Sequence, residues 1–158
     1  MPVDYILEMI EELGRAMRAI IARKKDQPAN ALEEIRVAFN GTKFGNKAFF
    51  DALSPEELAV FLREKKVDYR AADYIVDILL EEAEINRDME LERLAMKMPM
   101  EVGEGDNPGF EPIMENEEQR FLFEKIQVLI DYTSEVETSL KIFSLKRGQQ
   151  RERLKGFK

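Results

Sequence analysis

From Leu122 to Phe143 the positions Leu122, Ile126, Leu129, Thr133, Val136, Leu140 and Phe143 follow one another at alternating intervals of four and three residues. That period fits one face of an α-helix and no face of a strand, where the repeat is two. Phe123, Val128 and Ile130 widen the stripe, and a face that wide packs into a bundle rather than into a two-stranded seam. The spacing predicts a helix from about Asn116 to Arg147, with Asn116 and Gln119 as a capping pair.

The rest of the chain repeats the pattern. In residues 4–24, Ile6, Ile10, Leu13, Met17 and Ile20 form a single stripe. Asp4 at its start and Arg18, Arg23, Lys24 and Lys25 near its end complement the helix dipole. Gly14 lies inside this helix, where glycine costs about 1 kcal/mol against alanine; close approach of another helix accounts for it. Pro28 in a first turn opens a second helix to about residue 40, carrying Leu32, Ile35, Ala38 and Phe39, and Asn40-Gly41 ends it. GTKFGNK reads as loop, with Lys43 and Lys47 as solvated side chains, and AFFDAL as a short helical turn. Ser54-Pro55-Glu56-Glu57 is a capping box with proline at the first helical position, so a helix follows over 55–66. Asp68 caps a longer one over 69–97.

The fold class is therefore all-α: five helices and a short turn, arranged as antiparallel helical hairpins because the connections are short. Residues 1–97 form the helical-hairpin domain. Residues 98–114, MPMEVGEGDNPGFEPIM, hold three prolines and three glycines and read as an exposed linker. Within it Phe110, Ile113 and Met114 are apolar and suited to tucking into a groove. Residues 115–147 make the long C-terminal helix, packed on the bundle or on a partner, and residues 148–158 a frayed basic tail.

Composition excludes several chemistries. Of 158 residues none is cysteine or histidine. Disulfides, thiolate nucleophiles and histidine-based triads or di-iron motifs are thus out. A reducing cytoplasm fits the missing cysteines, and the acidic start MPVDYILEMI does not resemble a secretory signal. No apolar run approaches ~18 residues, so no membrane span is expected. The net charge of −8 opposes non-specific binding to DNA or anionic lipid.

The charge is unevenly placed. Residues 81–118 hold thirteen acids against Arg87, Arg93 and Lys97. The C-terminal stretch carries Lys141, Lys146, Arg147, Arg151, Arg153, Lys155 and Lys158 against Glu152 alone. Such a tail can hold phosphates, pair with the acidic middle of its own chain or of a partner subunit, or complement the end of the last helix. Asp73, Asp77, Glu81, Glu84, Asp88 and Glu92 recur at three or four residues and lie on one helix face. Opposite Ile75, Ile78, Leu79 and Ala83, they read as a solvated face rather than as a metal cluster, which needs carboxylates from several helices.

Two resemblances follow from the first two helices. Ile10-x-x-Leu13-Gly14-x-x-Met17 resembles the first-helix signature of tetratricopeptide repeats, and Ala31-x-x-x-Ile35-x-x-Ala38 their second-helix pattern. The opening Asp4-Tyr5-Ile6-x-x-Met9-Ile10-Glu11-x-Leu13-x-x-Ala16-Met17, with Ser54-Pro55-Glu56-Glu57-Leu58, is similar to a family of short uncharacterised bacterial proteins of helical-hairpin type. That resemblance implies a fold and a bacterial origin and brings no activity, substrate or cofactor with it.

The function expected on these grounds is a non-catalytic protein–protein interaction or scaffold module, binding a protein partner or itself as a homodimer. No cofactor, metal or catalytic residue is assigned. The candidate contact surface is the C-terminal helix, through Phe121, Phe123, Ile130, Tyr132 and Phe143. The alternatives are a metal-dependent all-α nucleotide hydrolase using acidic helices and nucleic-acid binding through the basic tail.

Overall fold

The computed structural model describes residues 3–97, 117–142 and 145–157. The expected 98–114 linker, with Phe110, Ile113 and Met114, lies outside the described residues, as does Phe143. Seven α-helices and one 3-10 turn are present, with no strand among the described residues; the protein is all-α.

Helix α1, Val3–Arg23, meets α2, Pro28–Ala38, across a four-residue connection and lies against α5, Tyr69–Lys97. Leu13 and Ile20 are buried, while Ile6, Ile10 and Met17 are half-buried, so the stripe is covered most fully in its second half. Gly14 faces α5, and a Cβ there would stand 3.2 Å from the Tyr74 hydroxyl. The neighbour at the expected close approach is thus a tyrosine tip.

After α2 the chain turns through Phe39–Gly41 into α3, Lys47–Ala52. The GTKFGNK segment has a defined local geometry. Thr42 Oγ1 donates to Phe39 O at 2.7 Å and accepts from Phe44 N at 3.2 Å, and Gly45 takes φ +81°, a value that favours glycine. This turns Phe44 inward. It packs with Phe39 and Phe50 and stacks on Phe61 at 4.8 Å between centroids. Asn46 caps α3 by accepting from Phe49 N at 2.7 Å.

Helix α4, Pro55–Glu64, starts with the full capping box: Ser54 Oγ accepts from Glu57 N at 3.1 Å and Glu57 Oε1 from Ser54 N at 2.9 Å. It ends with Lys66 at φ 51°, where Val67 N donates to Leu62 O and Lys66 N to Arg63 O. That is a Schellman motif, with buried Val67 and Leu62 as its apolar contact. Asp68 then caps α5 by accepting from Arg70 N at 2.8 Å.

Helix α5 is the axis of the fold. It touches α1, α2, α6 and α7, and its first half buries Ala72, Ile75, Val76, Ile78, Leu79 and Leu80. Helix α6, Glu117–Ser139, lays Ile126, Leu129 and Ile130 against it. Tyr132 Oη donates to Val67 O at 2.6 Å and fixes α6 to the α4–α5 corner.

Two corrections concern the C-terminus. The helix expected to run to Arg147 stops at Ser139, where Lys141 adopts φ 61°. Ile142 N donates to Glu137 O and Lys141 N to Thr138 O, a second Schellman motif. The tail expected to be frayed over 148–158 instead belongs largely to α7, Leu145–Lys155, which buries Arg147, Gln150 and Leu154 and is followed by buried Phe157. Besides Leu154 and Phe157, ion pairs and hydrogen bonds of Lys146, Arg147, Gln150 and Arg153 hold it to α5 and α6.

Candidate functional site

The acidic stripe of α5 is the seat of that pairing. Arg147 Nη1 reaches Asp73 Oδ1 at 2.9 Å, and its Nη2 reaches Glu137 Oε2 of α6 at 2.7 Å. Arg147 also contacts Gln150 Oε1, and Gln150 Nε2 donates to Asp73 and Asp77, both at 2.8 Å. Lys146 pairs with Asp77 at 2.7 Å. One turn further, Arg153 pairs with Glu84 at 2.8 Å and Glu81 at 3.0 Å, and Lys24, in the turn after α1, reaches Glu81 at 2.7 Å. The solvated-face reading therefore fails for four of the six carboxylates; Glu81 is only 4% exposed. Asp88 and Glu92, beyond the end of α7, remain exposed. Burial pushes the Glu84 carboxyl up, yet hydrogen bonds from Lys24 and Arg153 hold it below the usual glutamate value. Among the described residues no three carboxylates are arranged to hold a metal ion.

A second charged cluster sits where α3 meets α5 and α6. Lys47 is buried, not solvated as expected. Its Nζ pairs with Asp51 at 2.8 Å and Glu82 at 3.0 Å. Lys125, also buried, donates to the carbonyls of Phe50 and Asp51, both at 3.0 Å, and so satisfies the C-terminal end of α3. Burial pulls the Lys125 ammonium below its ordinary value; Asp51 resists the fall and the neighbouring Lys47 charge adds to it. Burial also raises Glu82, whose Oε1 accepts no hydrogen bond among the described residues. Lys47, facing two carboxylates, is held above its ordinary value despite burial. Asp51, Glu82 and Lys125 border a cleft of about 740 Å³ walled by Asn86, Arg87, Phe121 and Leu122. Both buried ammonium groups are engaged by these partners, so the cluster acts as a polar clamp between α3, α5 and α6.

The third feature is a groove of about 830 Å³ on the outer side of the α1–α2 hairpin. Met9, Leu13, Ala16, Ala19, Val37 and Ala38 supply its apolar lining, and Val37 is 48% exposed. Glu8, Glu11, Glu12 and Glu34 line it as well, against the single cation Arg15. Glu12 pairs with Arg15 at 2.8 Å and Glu34 with Arg23 at 2.6 Å, while Glu8 and Glu11 form no ion pair among the described residues.

The residues expected to form the contact surface are dispersed. Phe121 is 43% exposed beside the α5–α6 cleft. Phe123 is buried and stacks on Phe157 at 5.5 Å, and Ile130 is fully buried, so these two serve the core of the chain. Tyr132 is half-buried and bonded to Val67. Leu13 and Ala38 were read as parts of apolar stripes, but the groove itself escaped the sequence reading because Ala16 and Ala19 carry no amphipathic signal of their own. Lys125 did leave one: it stands three residues after Leu122, on the edge of an apolar stripe.

Comparison of the chain with protein-family models, with curated proteins and with solved structures finds no match. No helix among the described residues is long and apolar enough to cross a membrane.

Proposed function

We propose that this chain is a non-catalytic protein-interaction module that receives an amphipathic helix of a partner protein in the outer α1–α2 groove. One observation carries the reading: the groove combines a small-residue floor, Ala16, Ala19 and Ala38, with an acidic rim whose Glu8 and Glu11 form no ion pair among the described residues. Alanines let a third helix axis approach to roughly 8–10 Å. An apolar stripe laid into such a groove, with i, i+3, i+4 and i+7 anchors, is a recurrent mode of peptide recognition. The rim selects for lysine or arginine beside that stripe, since electrostatic complementarity sets partner choice and encounter rate.

A labelled leucine–lysine amphipathic helical peptide, a leucine–glutamate peptide of the same pattern and the full chain test this by fluorescence anisotropy. The basic peptide binds, the acidic one does not, and Ala19→Arg abolishes binding while leaving the helical circular dichroism unchanged. Glu8→Lys with Glu11→Lys weakens binding; Glu56→Lys with Glu64→Lys, on exposed α4 positions, does not. Binding insensitive to Ala19→Arg overturns the reading. If Ala19→Arg instead converts a dimer to a monomer in sedimentation, the occupant is a second copy and the partner-helix reading falls.

A further inference from the structure

We infer that α7 is a salt-sensitive ionic clasp that undocks as a unit while the rest of the bundle stays folded, uncovering a latent acidic docking face on α5. The inference is independent of the α1–α2 groove and rests on how α7 is held. Leu154 and Phe157 are the buried apolar anchors of the segment, and Leu145 at its start is exposed. The helix has eleven residues with Gly148 inside it. A helix that short is marginal without its docking contacts, and an internal glycine lowers its stability further.

What remains is charge. Lys146, Arg147 and Arg153 of α7, joined by Gln150, engage Asp73, Asp77, Glu81 and Glu84 of α5 and Glu137 of α6, with Lys24, in the turn after α1, on the same carboxylates as Arg153. Pairing of buried charges is offset by the cost of removing both from water, so many contacts here add up to little net affinity. Lys146 and Arg153 are partly exposed, and salt screens such pairs more than fully buried ones. The core of α5 and α6 is held by apolar burial, which this screening does not reach. Opening frees Asp73 and Asp77 and leaves Glu81 and Glu84 to share Lys24 alone, beside the notch that Phe157 leaves between Phe123 and Arg87. That face then suits a basic helix with one aromatic anchor, and α7 is its resident competitor.

Hydrogen–deuterium exchange of the full chain, read by peptide mass spectrometry at rising sodium chloride, tests this directly. Peptides covering 145–157 exchange roughly tenfold faster or more at high salt than at low salt, and peptides covering 75–85 and 123–133 do not change. Asp77→Asn speeds exchange of 145–157 at low salt; Glu56→Gln on α4 does not. The inference is overturned if 145–157 exchanges only at the rate of the core at every salt concentration, since α7 then opens only with global unfolding. It is equally overturned if its exchange ignores salt, since the clasp is then not ionic.

Discussion

Arg147 and Glu137 form a buried fork between α7 and α6: Nη2 donates to Oε2 at 2.7 Å and Nε to Oε1 at 3.2 Å. The same guanidinium reaches Asp73 on α5, so one side chain ties three helices. Removing it strands Glu137 in a buried position, and an unpaired buried charge costs roughly 3–5 kcal/mol. Undocking of α7 returns Glu137 to water and caps that cost. We expect Arg147→Ala to lower stability in urea denaturation by about 1–3 kcal/mol. Arg147→Lys recovers less than half, because an ammonium cannot serve two carboxylates in a planar fork. A loss near zero for the alanine variant would show that the fork contributes only register.

Acid tests the carboxylates in two directions. Burial pushes Glu84 up, but Lys24 and Arg153 hold its carboxyl below the ordinary value. Its contribution is therefore complete above the unfolded glutamate value and disappears as pH falls through the folded one. Glu82 is the reverse: burial raises it beyond what Lys47 restores. Its charge costs stability at neutral pH, and protonation relieves that cost as pH falls through the raised value. Denaturation at about pH 7 and about pH 3 separates them. Relative to wild type, Glu84→Gln gains stability on going from neutral pH to acid and Glu82→Gln loses it, on top of the constant cost of leaving buried Lys47 with Asp51 alone. Like-signed changes for the two variants would refute this assignment.

Much of this architecture was legible in local chemistry. Ser54 and Glu57 announce α4 because a capping box is satisfied by four consecutive residues, and Pro28 marks α2 in the same way. The α7 helix was not legible, because its order comes from residues 69–77 positions away in sequence, on α5. The acidic stripe and the basic tail were each visible, but only the fold shows that one covers the other. Burial of Lys47 was hidden for a related reason: a glycine-rich segment looks solvated until Thr42 and Gly45 turn Phe44 into the aromatic cluster. The break after Ser139 was hidden because the 4–3 stripe runs on through Leu140, and no glycine marks the left-handed residue.

That left-handed residue is lysine at both Schellman motifs, Lys66 at φ 51° and Lys141 at φ 61°. A side chain there costs roughly 1–2 kcal/mol, partly offset in a glycine variant by the greater freedom of its unfolded chain. Lys66→Gly and Lys141→Gly are each expected to raise stability by roughly 0.5–1 kcal/mol in thermal or urea denaturation. Lys66→Ala, which keeps the Cβ, gives no such gain. Lys66→Gly has the firmer footing, since Val67 and Leu62 are buried around the motif, whereas Ile142 at the equivalent place is 40% exposed. Equal effects of glycine and alanine would show that the backbone angle is not the source of strain.

Gly14 permits a finer test of the α1–α5 contact. Alanine there gains about 1 kcal/mol of helix propensity, but its Cβ would meet Tyr74 Oη at 3.2 Å and Cζ at 3.6 Å. The first distance is tight and the second ordinary. The obstructing atom is the tip of a side chain whose ring lies under the Lys146 ammonium, 5.3 Å from the centroid. A shift of a few tenths of an ångström accommodates the methyl at the expense of part of the gain. Gly14→Ala alone is therefore expected to stabilise by less than the full ~1 kcal/mol. In a Tyr74→Phe background, which deletes the hydroxyl, the same substitution recovers all of it. The double-mutant cycle reads this coupling directly. Identical increments in the two backgrounds would mean that Tyr74 does not set the closeness of the two helices. A larger side chain such as valine cannot be accommodated by so small a shift and destabilises in both.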